Sequence, residues 1–425
     1  MSTALNELTA SQAAAMIASR ELTSELLVQA CLDRIAERED TVEAWAFIDP
    51  ELALAEARRR DNEASTGPLH GIPVGIKDII DTSDMPTEYG SPIYKEVRPP
   101  WDANCVAQVR AAGGVILGKT VTTEFATYAP GKTHNPHNPK HTPGGSSSGS
   151  AAAVADYMVP LAFGTQTAAS VIRPASFCGT AAYKCTHGQF GLAGVKMAAQ
   201  SLDSLGVFAR SVADLALMRA ALIGAAPDIK PRATAPRVGL CRTPQWSEAS
   251  PETQQAVELA AEKLSAAGAH VEDIGMPDPF PTLVDLQNRV MLFECARNFR
   301  YEYDEHNKLL SDKIRGLIEA GQSVSYENYA QALMTRDRCR QMLTDLFISF
   351  DVLLTPSAPG EAPEGLDATG NPLFSRMWTF LQAPSVNLPG HLGPNNLPVG
   401  VQVVGSYGQD DQLLSAAAWM ETRIV

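Results

Sequence analysis

The residues whose types and spacing can do chemistry are the run Gly144-Gly145-Ser146-Ser147-Ser148-Gly149, the downstream Ser170, and Lys77 far upstream. Small hydroxyls on a flexible backbone suit nucleophilic catalysis, yet no histidine stands near them to act as base. Lys77 offers one. It lies in Gly71-Ile72-Pro73-Val74-Gly75-Ile76-Lys77-Asp78, where apolar neighbours predict half burial at a strand end, and burial favours the neutral amine. Amide hydrolysis needs a nucleophile, a base, an acid for the leaving amine and amide donors for the oxyanion. Ser170 can attack while Ser146 passes its proton to Lys77, and the relay can run backward to the departing amine. The weak point is the ordinary lysine pKa near 10.4, which burial must lower. Asp78 would oppose that only if the two side chains met, and successive side chains on an extended segment point to opposite faces.

Competing assignments of the same residues are weaker. Gly145 to Gly149 matches G-x-S-x-G, with Ser147 as the nucleophile of a strand-turn-helix elbow. The stretch before it, 134–143, is rich in Pro, Asn and His and cannot form a central strand. No Gly-Lys-Ser/Thr follows Gly144, so a phosphate loop is not indicated. A structural role for Ser146 to Ser148 is to cap a helix over 150–157. His134, His137 and His141 cluster, but no Cys or carboxylate completes a ligand set, and no metal or organic cofactor is expected.

The elements that must position these residues read as α/β. Residues 1–65 are predicted helical, from the capping-box pattern Thr9-x-x-Gln12 and the one-face spacing of Leu27, Cys31 and Ile35. Residues 66–223 alternate short apolar runs with helical stretches and hold the candidate residues. Residues 224–350 read as a strand over 237–241, a helix over 251–267 and a charged helical lobe shaping the pocket. Residues 351–425 supply strands over 351–356 and 397–405 and a last helix over 411–421. One large domain with a central mixed β-sheet flanked by helices is the expected fold.

The 425 residues are 45% hydrophobic and 19% charged, with a net charge of -14. That balance describes a globular chain and argues against nucleic acid as a partner, which requires a basic patch. Arg58-Arg59-Arg60 is the densest basic run and reads as the end of a solvated helix. No apolar run reaches the roughly 18 residues of a membrane span, and 1–20 is amphipathic rather than signal-like, so the cytoplasm is the expected location. The 7 cysteines show no C-x-x-C pair and read as buried free thiols.

Together, Gly75 to Asp78, Gly144 to Ser150 and Ser170-Val171-Ile172-Arg173-Pro174-Ala175 resemble the amidase signature family, and within it the malonamidase type. The similarity continues through Ser201 to Gly206, Ala209 to Asp214 and Leu397 to Gly405. It implies a Ser-cisSer-Lys triad of Ser170, Ser146 and Lys77, an oxyanion hole from the backbone amides of Thr167, Ala168, Ala169 and Ser170, and small amides or dicarboxylic monoamides as substrates. Anilides, carbamates and esters stay open, as do a non-catalytic binding protein and the ammonia-releasing part of an amidotransferase. Arg173 either faces a substrate carboxylate or braces its loop. Gly145, Tyr128, Met291, Phe293 and Trp378 are expected to shape the pocket, and the resemblance leaves room for a homodimer. One departure stands out: the family usually has Gly-Gly before the nucleophile, and this chain has Ala168-Ala169.

Overall fold

Apolar runs punctuated by Gly and Pro become the strands of one sheet. In the computed structural model, which describes residues 4–227 and 229–424, these are β1 (Trp45–Ile48), β2 (Pro73–Lys77), β3 (Val115–Thr120), β4 (Leu161–Gln166), β5 (Ala181–Lys184), β6 (Ser204–Ala209), β7 (Arg237–Cys241), β8 (His270–Ile274), β9 (Val352–Pro356), β10 (Ser385–Leu392) and β11 (Pro398–Val404). They form an 11-stranded mixed sheet in the order β1-β3-β2-β4-β6-β5-β10-β11-β9-β7-β8. Every residue of β2, β3, β4 and β6 is buried, as expected of strands covered by helices on both faces.

Each of the four segments distinguished in the sequence contributes strands to this one sheet. The stretch 1–65 is not wholly helical: β1 forms one edge, antiparallel to β3 with Trp45 opposite Thr120. Its four residues between two helices are too short to show a period. The helices there do follow their signals. Thr9 and Gln12 form the reciprocal capping box of the helix Ala10–Ala18, and the Thr23 hydroxyl caps Ser24–Val42. Arg58 and Arg59 end an exposed helix turn, but Arg60 is buried and donates to Glu56 and to the Arg110 carbonyl.

The topology gathers the candidate residues at one edge. β2 runs parallel to both β3 and β4, so Lys77 at the end of β2 and Gln166 at the end of β4 leave the sheet on the same side. Crevices at the carboxyl ends of parallel strands are where α/β proteins place ligands. β6 is antiparallel to β4, with Ser204 opposite Gln166, which brings Asp203 to that edge as well. Above it the helices Leu283–Asn298, Asp312–Gln322, Tyr326–Leu346 and Leu373–Phe380 form a cap with a core built on Leu283, Val290, Ile314, Ile318 and Trp378. Among the described residues no helix is long and apolar enough to cross a membrane. All seven thiols are buried and free.

Candidate active site

Lys77 is fully buried, and its Nζ lies 2.7 Å from Ser146 Oγ and 2.9 Å from Thr165 Oγ1. Burial pushes its pKa down to about 7, with Asp203 acting weakly in the other direction. A sizeable fraction of the amine is thus free at neutral pH and can accept a proton. Asp78 turns to the opposite face, as the strand alternation requires, and pairs there with Lys119 at 3.1 Å. The Gly145–Ser146 peptide is cis. Gly145 fits because a Cβ there would sit 2.6 Å from Thr369 Cγ2. At Gly149 a Cβ would come within 2.1 Å of Ala44 O, so this glycine lets the hydroxyl-bearing segment pack against the residues leading into β1.

Ser147 does not stand on an exposed elbow. Its Oγ is buried between the backbone N and O of Thr165 at 3.3 and 3.4 Å. It also does not cap the helix Ser148–Ala155 that follows. The histidines of the preceding loop are tied to main-chain carbonyls: His134 to Pro139, His137 to Cys178 and His141 to Ala362.

Ser170 is 8% exposed, and among the described residues its Oγ makes no hydrogen bond. The structure thus joins Lys77 to Ser146 directly, whereas Ser170 follows β4 out of the same sheet edge without a hydrogen bond to either. The amides of Ala168, Ala169 and Ser170 likewise donate to no described acceptor. Such free N–H groups next to an accessible hydroxyl can stabilise a developing oxyanion. Neither alanine has a positive φ, so the backbone torsions that favour glycine are not required here and the Ala-Ala pair is accommodated.

Ser170 opens onto a narrow cavity of ≈ 30 Å³ lined by the run from Thr167 to Ser170 and by Tyr128, Arg173, Ala198, Met291, Cys295 and Leu317. Left-handed backbone at Phe125 and Ala126 turns the preceding loop so that Tyr128 joins this wall. Of the other residues expected there, Met291 lines the cavity. Phe293 and Trp378 do not line it: Phe293 stacks on Tyr329 with ring centroids 4.0 Å apart, and Trp378 is wholly buried in the cap core. Both are large apolar residues on cap helices, and helix register turns them away from Ser170. Gly145 is not among the residues lining the cavity; its carbonyl accepts from Arg173 Nη2 at 2.6 Å.

Arg173 is 5% exposed. Its Nη atoms donate to Gly145 O, Gly370 O and Thr369 Oγ1 at 2.6–2.9 Å, while its buried Nε has no partner. Burial, with Arg376 nearby, lowers its pKa to about 9. Among the described residues no carboxylate pairs with Arg173.

Other groups at this edge had no role assigned from the sequence. Asp203 accepts from Thr167 Oγ1 at 2.5 Å and from the amides of Ala198 and Ala199 at 2.7 and 3.0 Å. Burial raises its pKa to about 6. Gln166, Gln287, Arg376 and Thr379 come from distant segments, and only the fold reveals that they meet.

The family model described as Amidase matches residues 26–414. The A subunit of glutamyl-tRNA(Gln) amidotransferase from Salinispora arenicola (strain CNS-205) is 32% identical, over 99% of this chain and 98% of the relative. A crystal structure of an amidase superposes with a TM-score of 0.90 at 28% identity, covering 98% of this chain and 100% of that one. The native peptide amidase from Stenotrophomonas maltophilia gives 0.84 at 28% identity, covering 98% and 97%.

Proposed function

Because the chain belongs to the amidase signature family of C–N hydrolases, we propose that it hydrolyses small linear amides through an acyl-enzyme on Ser170. The observation that carries this reading is the buried Lys77 amine 2.7 Å from Ser146 Oγ, at the sheet edge where β4 runs out into the unpaired amides before Ser170. Neutral Lys77 takes the Ser146 proton as Ser146 takes that of Ser170. The Ser170 oxygen bonds to the carbonyl carbon, and the oxyanion is met by the amides of Ala168, Ala169 and Ser170. Catalytic hydrogen bonds commonly tighten only with substrate in place, and here the Ser170–Ser146 contact is the one that forms then. The proton returns to the leaving nitrogen, the C–N bond breaks, and water releases the acid by the same relay.

A cavity of ≈ 30 Å³ is far below the roughly 300–1,000 Å³ of sites for drug-sized ligands, so the acyl group is short. The uncompensated Arg173, with its unpartnered Nε, supports an acyl group ending in an acceptor, as in a monoamide of a short dicarboxylic acid. Turnover of acetamide, malonic monoamide, anilides, carbamates and esters, with mass mapping of the labelled serine, tests the reading. A trapped acyl group on Ser170 is expected, and its absence under turnover contradicts the mechanism.

The alanine methyls make a sharper prediction. Ala168→Gly and Ala169→Gly widen the acyl end, so kcat/KM for butyramide relative to acetamide is expected to rise by about tenfold or more, the effect of a methylene in a tight pocket. An unchanged ratio would mean that other walls set the acyl length.

The similarity to the A subunits of amidotransferases favours a second reading, ammonia release from glutamine within a complex. It predicts preferential turnover of free glutamine and a stable partner chain. Size-exclusion mass and glutamine kinetics separate the two.

A further inference from the structure

The peptide units just before Ser170 are held from behind. Thr167 O accepts from Gln287 Nε2 at 2.9 Å, Ala168 O accepts from Thr379 Oγ1 at 2.7 Å, and Ala169 O accepts from Arg173 N at 3.0 Å. The peptide bonds concerned are trans, since the cis bonds among the described residues are Gly145–Ser146 and Asp278–Pro279. In a trans unit the N–H points away from the C=O. Each held carbonyl therefore aims the next amide: Gln287 sets the N–H of Ala168, Thr379 that of Ala169, and the Arg173 amide that of Ser170. These are the amides without a described acceptor.

The holding groups are themselves fixed. Thr379 is 1% exposed, and its hydroxyl accepts from Gln166 Nε2 at 2.9 Å, which leaves its proton for Ala168 O. Gln166 Oε1 is held by the amides of Val171 and Ile172 at 2.9 and 3.1 Å. Gln287 Oε1 accepts from Arg376 Nη1, which leaves its Nε2 for Thr167. Arg376 Nη2 donates in turn to Tyr128 OH at 3.0 Å, and Tyr128 lines the cavity.

We propose that Thr379 and Gln287, side chains of the cap helices, are positioning residues that hold the oxyanion amides in their productive orientation. Neither need touch substrate. The cap that shapes the pocket thereby also sets how strongly the transition state is stabilised. The inference rests on Ser170 being the nucleophile.

The test compares kcat/KM for propionamide with the inhibition constant of ethylboronic acid, which adds to a serine hydroxyl as a tetrahedral mimic of the intermediate. Thr379→Val is expected to lower kcat/KM about 10- to 100-fold, mostly in kcat and less than outright deletion of an oxyanion donor. The boronate should weaken by the same factor, and Thr379→Ser should restore both. Gln287→Leu provides the same comparison if Thr379→Val fails to fold. A folded variant with undiminished kcat and boronate affinity overturns the proposal, as does a kcat loss that the boronate does not follow. Ser170→Ala separates the two levels. If it retains turnover, the nucleophile assignment itself falls; if it is inactive while Thr379→Val is unaffected, only the positioning role falls.

Discussion

Replacing Ser170 with alanine is expected to lower amide turnover by about ten-thousand-fold or more, the scale seen when a serine nucleophile is removed from a hydrolase. Ser170 is 8% exposed and the lost hydroxyl makes no hydrogen bond to a described residue, so the fold should be unaffected and thermal unfolding unchanged. Ser147→Ala should behave in the opposite way. The Ser147 hydroxyl is buried against the Thr165 backbone, and removing it costs about 1–3 kcal/mol of stability while turnover stays within an order of magnitude. Steady-state kinetics and thermal unfolding on the two variants distinguish the downstream nucleophile from the elbow serine that the G-x-S-x-G spacing suggests. Turnover by Ser170→Ala at the wild-type rate, or its loss in a folded Ser147→Ala, would reverse the assignment.

What the sequence made legible was local or continuous. β7 falls on the predicted residues 237–241, and the helix Pro251–Ala266 ends one residue from its expected limit. Both are bounded by Pro, Gly or a cap residue. Lys77 was legible as a strand-end lysine because its apolar neighbours lie on the same short run. The edge strand β1 and the antiparallel strand β10 were not, since neither shows an uninterrupted pattern and each is defined by its partner.

The limits at the site have the same physical origin. Asp203 and Thr167 meet at 2.5 Å although 36 residues separate them, and Thr379 reaches Ala168 across 211. No period or spacing encodes such contacts, because they follow from which strand ends share an edge. Phe293 and Trp378 failed as pocket residues for the complementary reason. Their size and helix location were visible, but which way the helix turns them depends on the cap core around Trp378 and the Tyr329 ring.

Lys77→Met is expected to abolish activity and, at mildly acidic pH, to stabilise the protein. Wild-type kcat/KM should rise about tenfold per pH unit below about 7 and level off above it, because only the neutral amine accepts the Ser146 proton. The stability effect follows from the same titration. Lys77 has an ordinary pKa of 10.5 when unfolded and about 7 in the folded chain. Between those values the unfolded chain holds a proton that the folded one has released, so stability rises with pH across this window and is flat below it. The cost of burying the ammonium at low pH is on the order of 5 kcal/mol, at about 1.4 kcal/mol per pKa unit. Methionine removes that cost but leaves the hydroxyls of Ser146 and Thr165 each short of a partner, at about 1–3 kcal/mol apiece, so at mid-range values a net gain of about 1 kcal/mol remains. Thermal unfolding at pH 6 should therefore show the variant above wild type, with the difference shrinking and then reversing as pH approaches 10.5. A wild-type rate profile that stays flat from about pH 5 to 9, or a variant less stable than wild type at pH 6, would show that Lys77 is not the buried, largely neutral base.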